Sequence, residues 1–177
     1  TTAYDLSTAS FVDSYGVGAE DTQPRSLVFD NDGDTLYVIG QDNNKVSQYP
    51  LVTGFDISTT QAVTATQSLR TNTITPRGFT FNNDGTKMFV IHHSDTPKIS
   101  EHALTTAFDI NTASQSTTYN ISISDARGIR FNNDGTKLYI NSGTGSDKKI
   151  YEYSLSTAYD VSSLPTPSST IISSQDG

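Results

Sequence analysis

Three arginines recur through the chain at a nearly fixed interval. Arg25, Arg77 and Arg127 stand 52 and 50 residues apart, each at the mouth of an apolar stretch. Guanidinium groups gathered in one place make a receptor for anions, because their planar fork matches carboxylates and phosphates. A structural role competes with this. Each Arg could pair with an acid such as Glu20, Asp21 or Asp125, or cap carbonyls between repeats, since a residue present in every repeat commonly serves the repeat itself. The histidines come next. His92 and His93 are adjacent, and imidazoles close together invite a metal reading. No acidic residue stands at a usual ligand spacing from them, so no metal site is expected. They open a variable segment, and loops on a rigid scaffold commonly bind, so the pair is expected to join a binding surface. His102 holds the slot that Tyr49 and Tyr153 occupy elsewhere, which predicts an aromatic role on a strand.

A third candidate is "DNDGD", which offers Asp30, Asp32 and Asp34 at alternate positions, as calcium loops do. Position 41, where such a loop needs a bidentate Glu, is Gln. The other two copies, both "FNNDGTK" (81–87 and 131–137), replace the outer carboxylates with Asn82 and Thr86, then Asn132 and Thr136. A turn accounts for all three copies. Asn and Asp cap their own backbone and tolerate left-handed conformations, and Gly takes a positive φ without steric cost. No Gly-x-Ser-x-Gly, no phosphate-cradling glycine loop and no Ser/His/Asp spacing of note is present. No cofactor is expected.

The elements that position these residues follow from the repeat. The Phe before the turn falls at 29, 81 and 131. An aromatic-Asp pair falls at Tyr4-Asp5, Phe55-Asp56, Phe108-Asp109 and Tyr159-Asp160, and a Lys-aliphatic pair at 45, 98 and 149. Three markers keeping one period decide the architecture. Each unit reads as four strands: "RGFTF", then the turn, then "KMFVIH", apolar on both faces and therefore central, then the alternating "KISEHAL", and after a polar corner a Ser/Thr-rich fourth strand. Pro50, in the third strand of the first unit, cannot donate to a ladder. The expected fold is all-β and β-propeller-like: three four-stranded antiparallel blades at about 24–70, 76–123 and 126–174, with 1–17 as a partial blade carrying one leftover strand at 8–16.

"PRGFTFNNDGTKMFVI" and "ARGIRFNNDGTKLYIN" resemble the blades of the surface-layer/lactonase-like (YVTN) propellers, over nearly the whole chain. "LSTAYDVSS" resembles repeat proteins of marine phages and bacteria. The resemblance implies that each first strand lines a central channel, so the three arginines ring it at one end. It also implies that enzymes of this type carry a carboxylate- or His-rich metal centre at the channel mouth, which these residues do not supply.

Composition narrows the function. The net charge is −8, which repels phosphate backbones, so no nucleic-acid partner is expected. No apolar run spans a membrane. With no Cys there is neither disulfide framework nor thiol nucleophile. Nine Tyr and eight Phe at regular places argue against disorder. The chain opens "TTAYDL" without Met, which predicts processing or an excerpt from something longer. Three blades leave two open edges, so the expected partners are further blades of the same protein or a second copy, with a host-surface glycan or protein at the variable loops 40–45, 92–97 and 142–148. The resulting expectation is a non-enzymatic structural or binding module on a cell or virion surface. A lactonase- or sugar-dehydrogenase-like propeller enzyme is the alternative.

Overall fold

A computed structural model describes residues 7, 9–69, 75–94, 96–143, 148–162 and 164. It contains three antiparallel sheets in simple meander order. The first holds β1 (Pro24–Phe29), β2 (Thr35–Gly40), β3 (Lys45–Pro50) and β4 (Ala65–Ser68). The second holds β5 (Thr75–Phe81), β6 (Lys87–His93), β7 (Lys98–Leu104) and β8 (Ala113–Asn120). The third holds β9 (Ala126–Phe131), β10 (Lys137–Ser142) and β11 (Ile150–Ser154). The fourth strand expected for the third blade, the end of the first blade at 70, Tyr4-Asp5 and residue 8 lie outside the described residues. Residues 9–17 carry no strand pairing in the structure. No described helix is long and apolar enough to cross a membrane.

The sheets stack face to face and share their cores. Tyr37, Ile39 and Val46 of the first blade pack with Phe79, Phe81, Met88 and Val90 of the second. Phe89, Ile91 and Ile99 of the second pack with Ile129, Leu138 and Ile140 of the third. Successive side chains of a strand point to opposite faces, so each central strand must be apolar throughout to serve both neighbours. "KMFVIH" is buried on both faces for this reason. Ring contacts recur at the seams: Tyr37 meets Phe81 and Phe89 meets Phe131, each with ring centroids 4.9 Å apart. Such pairs add about 0.5–1.5 kcal/mol beyond burial. Pro50 is the last residue of β3, where its carbonyl accepts from the Gln61 N–H at 2.8 Å and no donor is asked of it.

The Asn-Asp-Gly turn is locked by the aromatic-Asp corner. Gly33, Gly85 and Gly135 have φ of +79°, +70° and +72°. Where a Cβ would stand on each, a ring already lies at 2.3–2.4 Å: Phe55, Phe108 and Tyr159 respectively. Each of those aromatics has itself a positive φ and donates its N–H to the glycine carbonyl, at 2.9–3.0 Å. In the first two corners the following Asp caps a one-turn 3-10 helix, as where Asp109 Oδ1 accepts from the Asn111 N–H at 3.0 Å; in the third, Asp160 Oδ1 accepts from the Ser162 N–H at 2.9 Å. The two repeat markers therefore form one interlocked corner. The turn carboxylates serve it too: Asp84 Oδ1 accepts from Thr86 N–H at 2.9 Å, and Asp134 does the same with Thr136.

The second Asn of each turn links blade to blade. Asn31 Nδ2 donates to the Asn83 carbonyl at 2.7 Å, and Asn83 Nδ2 donates to the Asn133 carbonyl. Among the described residues Asn133 Nδ2 donates to nothing, and the Asn31 carbonyl accepts from nothing.

Candidate functional site

The first strand of every blade carries a β-bulge at the same place. Pairing of β1 with β2 passes from Pro24 to Ser26, of β5 with β6 from Pro76 to Gly78, and of β9 with β10 from Gly128 to Ala126. The residue skipped is Arg25, Arg77 and Arg127 in turn. An extra residue in one strand breaks the alternation and re-aims its side chain. All three guanidiniums thereby come to one cavity of about 880 Å³, within the usual size of a small-molecule site. Gly78 lets the inner strands approach closely enough for this; a Cβ there would lie 2.5 Å from the Arg127 carbonyl.

The cavity is strongly cationic. Arg130, Lys148 and Lys149 line it alongside the three repeated arginines, and among the described residues no Asp or Glu does. Six of the 11 Lys and Arg residues of an otherwise acidic chain thus face one space. Arg25 Nη2 donates to Gln23 Oε1 at 3.0 Å and Arg77 Nη1 to Gln41 Oε1 at 2.8 Å. Both partners are neutral, and neither arginine makes an ion pair among the described residues. Arg77 Nε is buried with no hydrogen-bond partner. Burial, followed by the charges of Arg25 and Arg127, presses its pKa downward. An anion would relieve this mutual repulsion. Arg127 differs: its Nε and Nη2 both lie 3.0 Å from Asp125 Oδ2. His93 Nε2 reaches the other oxygen of Asp125 at 3.5 Å, so His93 lies one carboxylate away from the cavity lining.

The two adjacent histidines part company. β6 extends through both and turns them to opposite faces. His93 is half-exposed. His92 is buried and cannot join a binding surface, which corrects the expectation for that residue. Its Nε2 lies 2.7 Å from Ser100 Oγ, and the same oxygen lies 3.0 Å from His102 Nε2. His102 is buried at its strand position. Burial lowers both imidazoles to a pKa of about 4, and each leaves Nδ1 without a partner. Ser100, on the neighbouring strand, is what sequence spacing did not reveal. The bulges and the contribution of Arg130, Lys148 and Lys149 were also missed. The Lys148-Lys149 doublet, in a chain with few cations, was the available signal.

Asp30, Asp32 and Asp34 act in the turn, where Asp30 Oδ1 accepts from Thr35 N–H at 3.0 Å. Among the described residues no three His, Cys, Asp or Glu side chains gather as metal ligands would. The metal centre implied by the resemblance to propeller lactonases does not fit these residues, and no chemical step is routed through one.

No family model and no curated protein matches the chain. Solved structures do. A protein assigned as a 6-phosphogluconolactonase, from Bacteroides fragilis, is 14% identical, with a TM-score of 0.53 over 75% of this chain and 39% of that one. The periplasmic gluconolactonase of Pseudomonas aeruginosa is 13% identical, with a TM-score of 0.50 over 75% and 40%. The Swd1 β-propeller domain of Myceliophteria thermophila is 12% identical, with a TM-score of 0.54 over 75% and 40%. At these identities the likeness shows fold. The chain has a lactonase-like β-propeller fold and spans about two fifths of the length of the structures it resembles. None of them bears on the likeness of the corner element to phage and marine bacterial repeats. The expectation of a non-enzymatic surface module is corrected: the structures matched include a gluconolactonase and two proteins assigned as 6-phosphogluconolactonases.

Proposed function

We propose that the arginine-lined cavity binds an anionic sugar lactone, phosphorylated or acidic, and that a propeller built from these blades hydrolyses it. The observation that carries this is the concentration of six cationic side chains on one cavity of a chain with net charge −8. The chemistry suits the site. Water adds to the lactone carbonyl, the ring C–O bond breaks, and the product is a hydroxy-acid anion. Guanidiniums hold the phosphate or carboxylate by charge-assisted hydrogen bonds and stabilise the oxyanion as it develops. The proton released goes to solvent; His93, paired with Asp125, stands outside the cavity lining. An extracellular location belongs to the same proposal and rests on the acidic, hydroxyl-rich composition.

The test compares hydrolysis of a phosphorylated aldonolactone with that of its neutral parent. The phosphorylated substrate should turn over faster. Arg77→Gln should lower kcat/KM for it by about 10–100-fold, the loss of one charged hydrogen-bonding group, with thermal unfolding unchanged. Hydrolysis no faster than in buffer, with no binding of the phosphorylated product by calorimetry, would refute the proposal.

A further inference from the structure

The two ends of the blade stack are complementary halves of the seam already present twice inside it. At each internal seam, the face carrying Tyr37, Ile39 and Val46, or Phe89, Ile91 and Ile99, is covered completely by the next blade. On the third blade the matching residues are Tyr139, Asn141 and Ile150, and Ile150 is 75% exposed. Asn141 interrupts the apolar strip where that face meets the cavity, which it lines. The opposite end is uncovered in the same manner. Leu27 is 56% exposed, whereas its counterparts Phe79 and Ile129 are buried; Phe55 is 62% exposed, whereas Phe108 and Tyr159 are half-buried.

The polar contacts leave matching halves too. Among the described residues Asn133 ends the asparagine ladder with an unused donor, and Asn31 begins it with an unused carbonyl. Tyr37 donates its hydroxyl to the Phe108 carbonyl of the following blade at 2.5 Å; Tyr139 holds the equivalent place, and the equivalent carbonyl is that of Phe55. Residues 9–16 repeat the spacing of β8, with Ala9 and Tyr15 in the places of Ala113 and Tyr119. Val17 packs against Leu36 and Val38 of the first blade as Leu69 packs against Met88 and Val90 of the second. The segment thus lies where the fourth strand of a preceding blade would end.

We propose that the face of Ile150, Tyr139 and Asn133 docks on the face of Leu27, Phe55 and Asn31 of a second copy of this chain. The contact is head to tail, and two copies satisfy it twice about a two-fold axis, which closes the assembly. The result is a ring of six blades, within the range at which propellers close. Tyr139, Asn141 and Ile150 belong both to the docking face and to the cavity lining, so the partner's first blade comes beside the cavity. The inference rests on packing alone and stands whether or not the cavity hydrolyses anything.

Sedimentation equilibrium of the 177-residue chain tests this. The expected mass is twice 19.1 kDa. Ile150→Asp and Leu27→Asp, both at exposed positions, should each give a folded monomer by circular dichroism. An equimolar mixture of the two variants should recover a dimer, because one of its two seams then joins an unaltered tail to an unaltered head. A wild-type monomer at all concentrations, an open-ended series of larger species, or single variants that stay dimeric would each overturn the proposal. So would failure of the mixture to associate.

Discussion

Acidification from pH 7 to pH 4 is expected to remove roughly 3–6 kcal/mol of folding stability through the coupled pair His92 and His102. Both imidazoles are buried, and burial holds each at a pKa of about 4 in the folded chain, against 6.5 as the ordinary value. A folded-state pKa depressed in this way means that the unfolded chain takes up protons first. Stability is therefore intact above about pH 6.5 and falls as the pH drops toward 4. Below that the folded imidazoles also protonate and the loss levels off. Each contributes up to roughly 3 kcal/mol. Domains of this size are stable by only about 5–15 kcal/mol, so the effect is a large fraction of the total. The side chains of Thr86, Thr136 and Ser162 bond the ionised carboxylates of Asp84, Asp134 and Asp160 and hold them below the ordinary range, and Lys137 does the same for Glu152.

The local chemistry makes the site intolerant of charge. Ser100 has one proton, so it donates to one imidazole and accepts from the other. A second proton on either ring would place a cation beside an unpartnered buried nitrogen. Urea unfolding at pH 7 and pH 4.5 measures the loss. The double variant His92→Ser/His102→Tyr puts into the second blade the residues that the third has at those positions, Ser142 and Tyr153. It should lose most of the acid sensitivity. An undiminished slope in that variant would assign the effect elsewhere.

Gly85→Ala carries the second large effect, about 2–5 kcal/mol. A left-handed φ costs an L-residue roughly 1–2 kcal/mol, and the new methyl meets the Phe108 ring at 2.3 Å, adding an overpacking cost of about 1–3 kcal/mol. For a chain of this length that lowers Tm by about 5–15 °C. The two contributions are separable. In a Phe108→Ala background the methyl has space, so Gly85→Ala should then cost only its backbone part. A double-mutant cycle that came out additive would show that the ring and the turn are not interlocked.

The blades were legible because their signal is local and repeated. "KMFVIH" has to be apolar on both faces to sit between neighbours, and it spans β6 almost to the residue. The turn was legible because Asn, Asp and Gly have conformational preferences that need no tertiary context. The arginine ring was only half legible. Spacing placed Arg25, Arg77 and Arg127 at equivalent positions, but a bulge is a matter of pairing between strands, and the sequence of one strand does not show it. His92 was misplaced for a related reason. Strand alternation assigns adjacent residues to opposite faces, so His92 and His93 could never act as a pair once β6 extended through them. The ring of Phe108 over Gly85 joins residues 23 positions apart, and neither residue type announces the other.

The asparagine ladder has a direction. Each side chain gives its proton to the backbone one unit further along, never the reverse. A blade inserted the wrong way round would set donor against donor. A duplicated or deleted blade would leave every remaining link intact, because each unit reads only its successor. The motif therefore behaves as a translationally invariant joint, and gene duplication can lengthen or shorten such a protein by whole units without inventing a new contact.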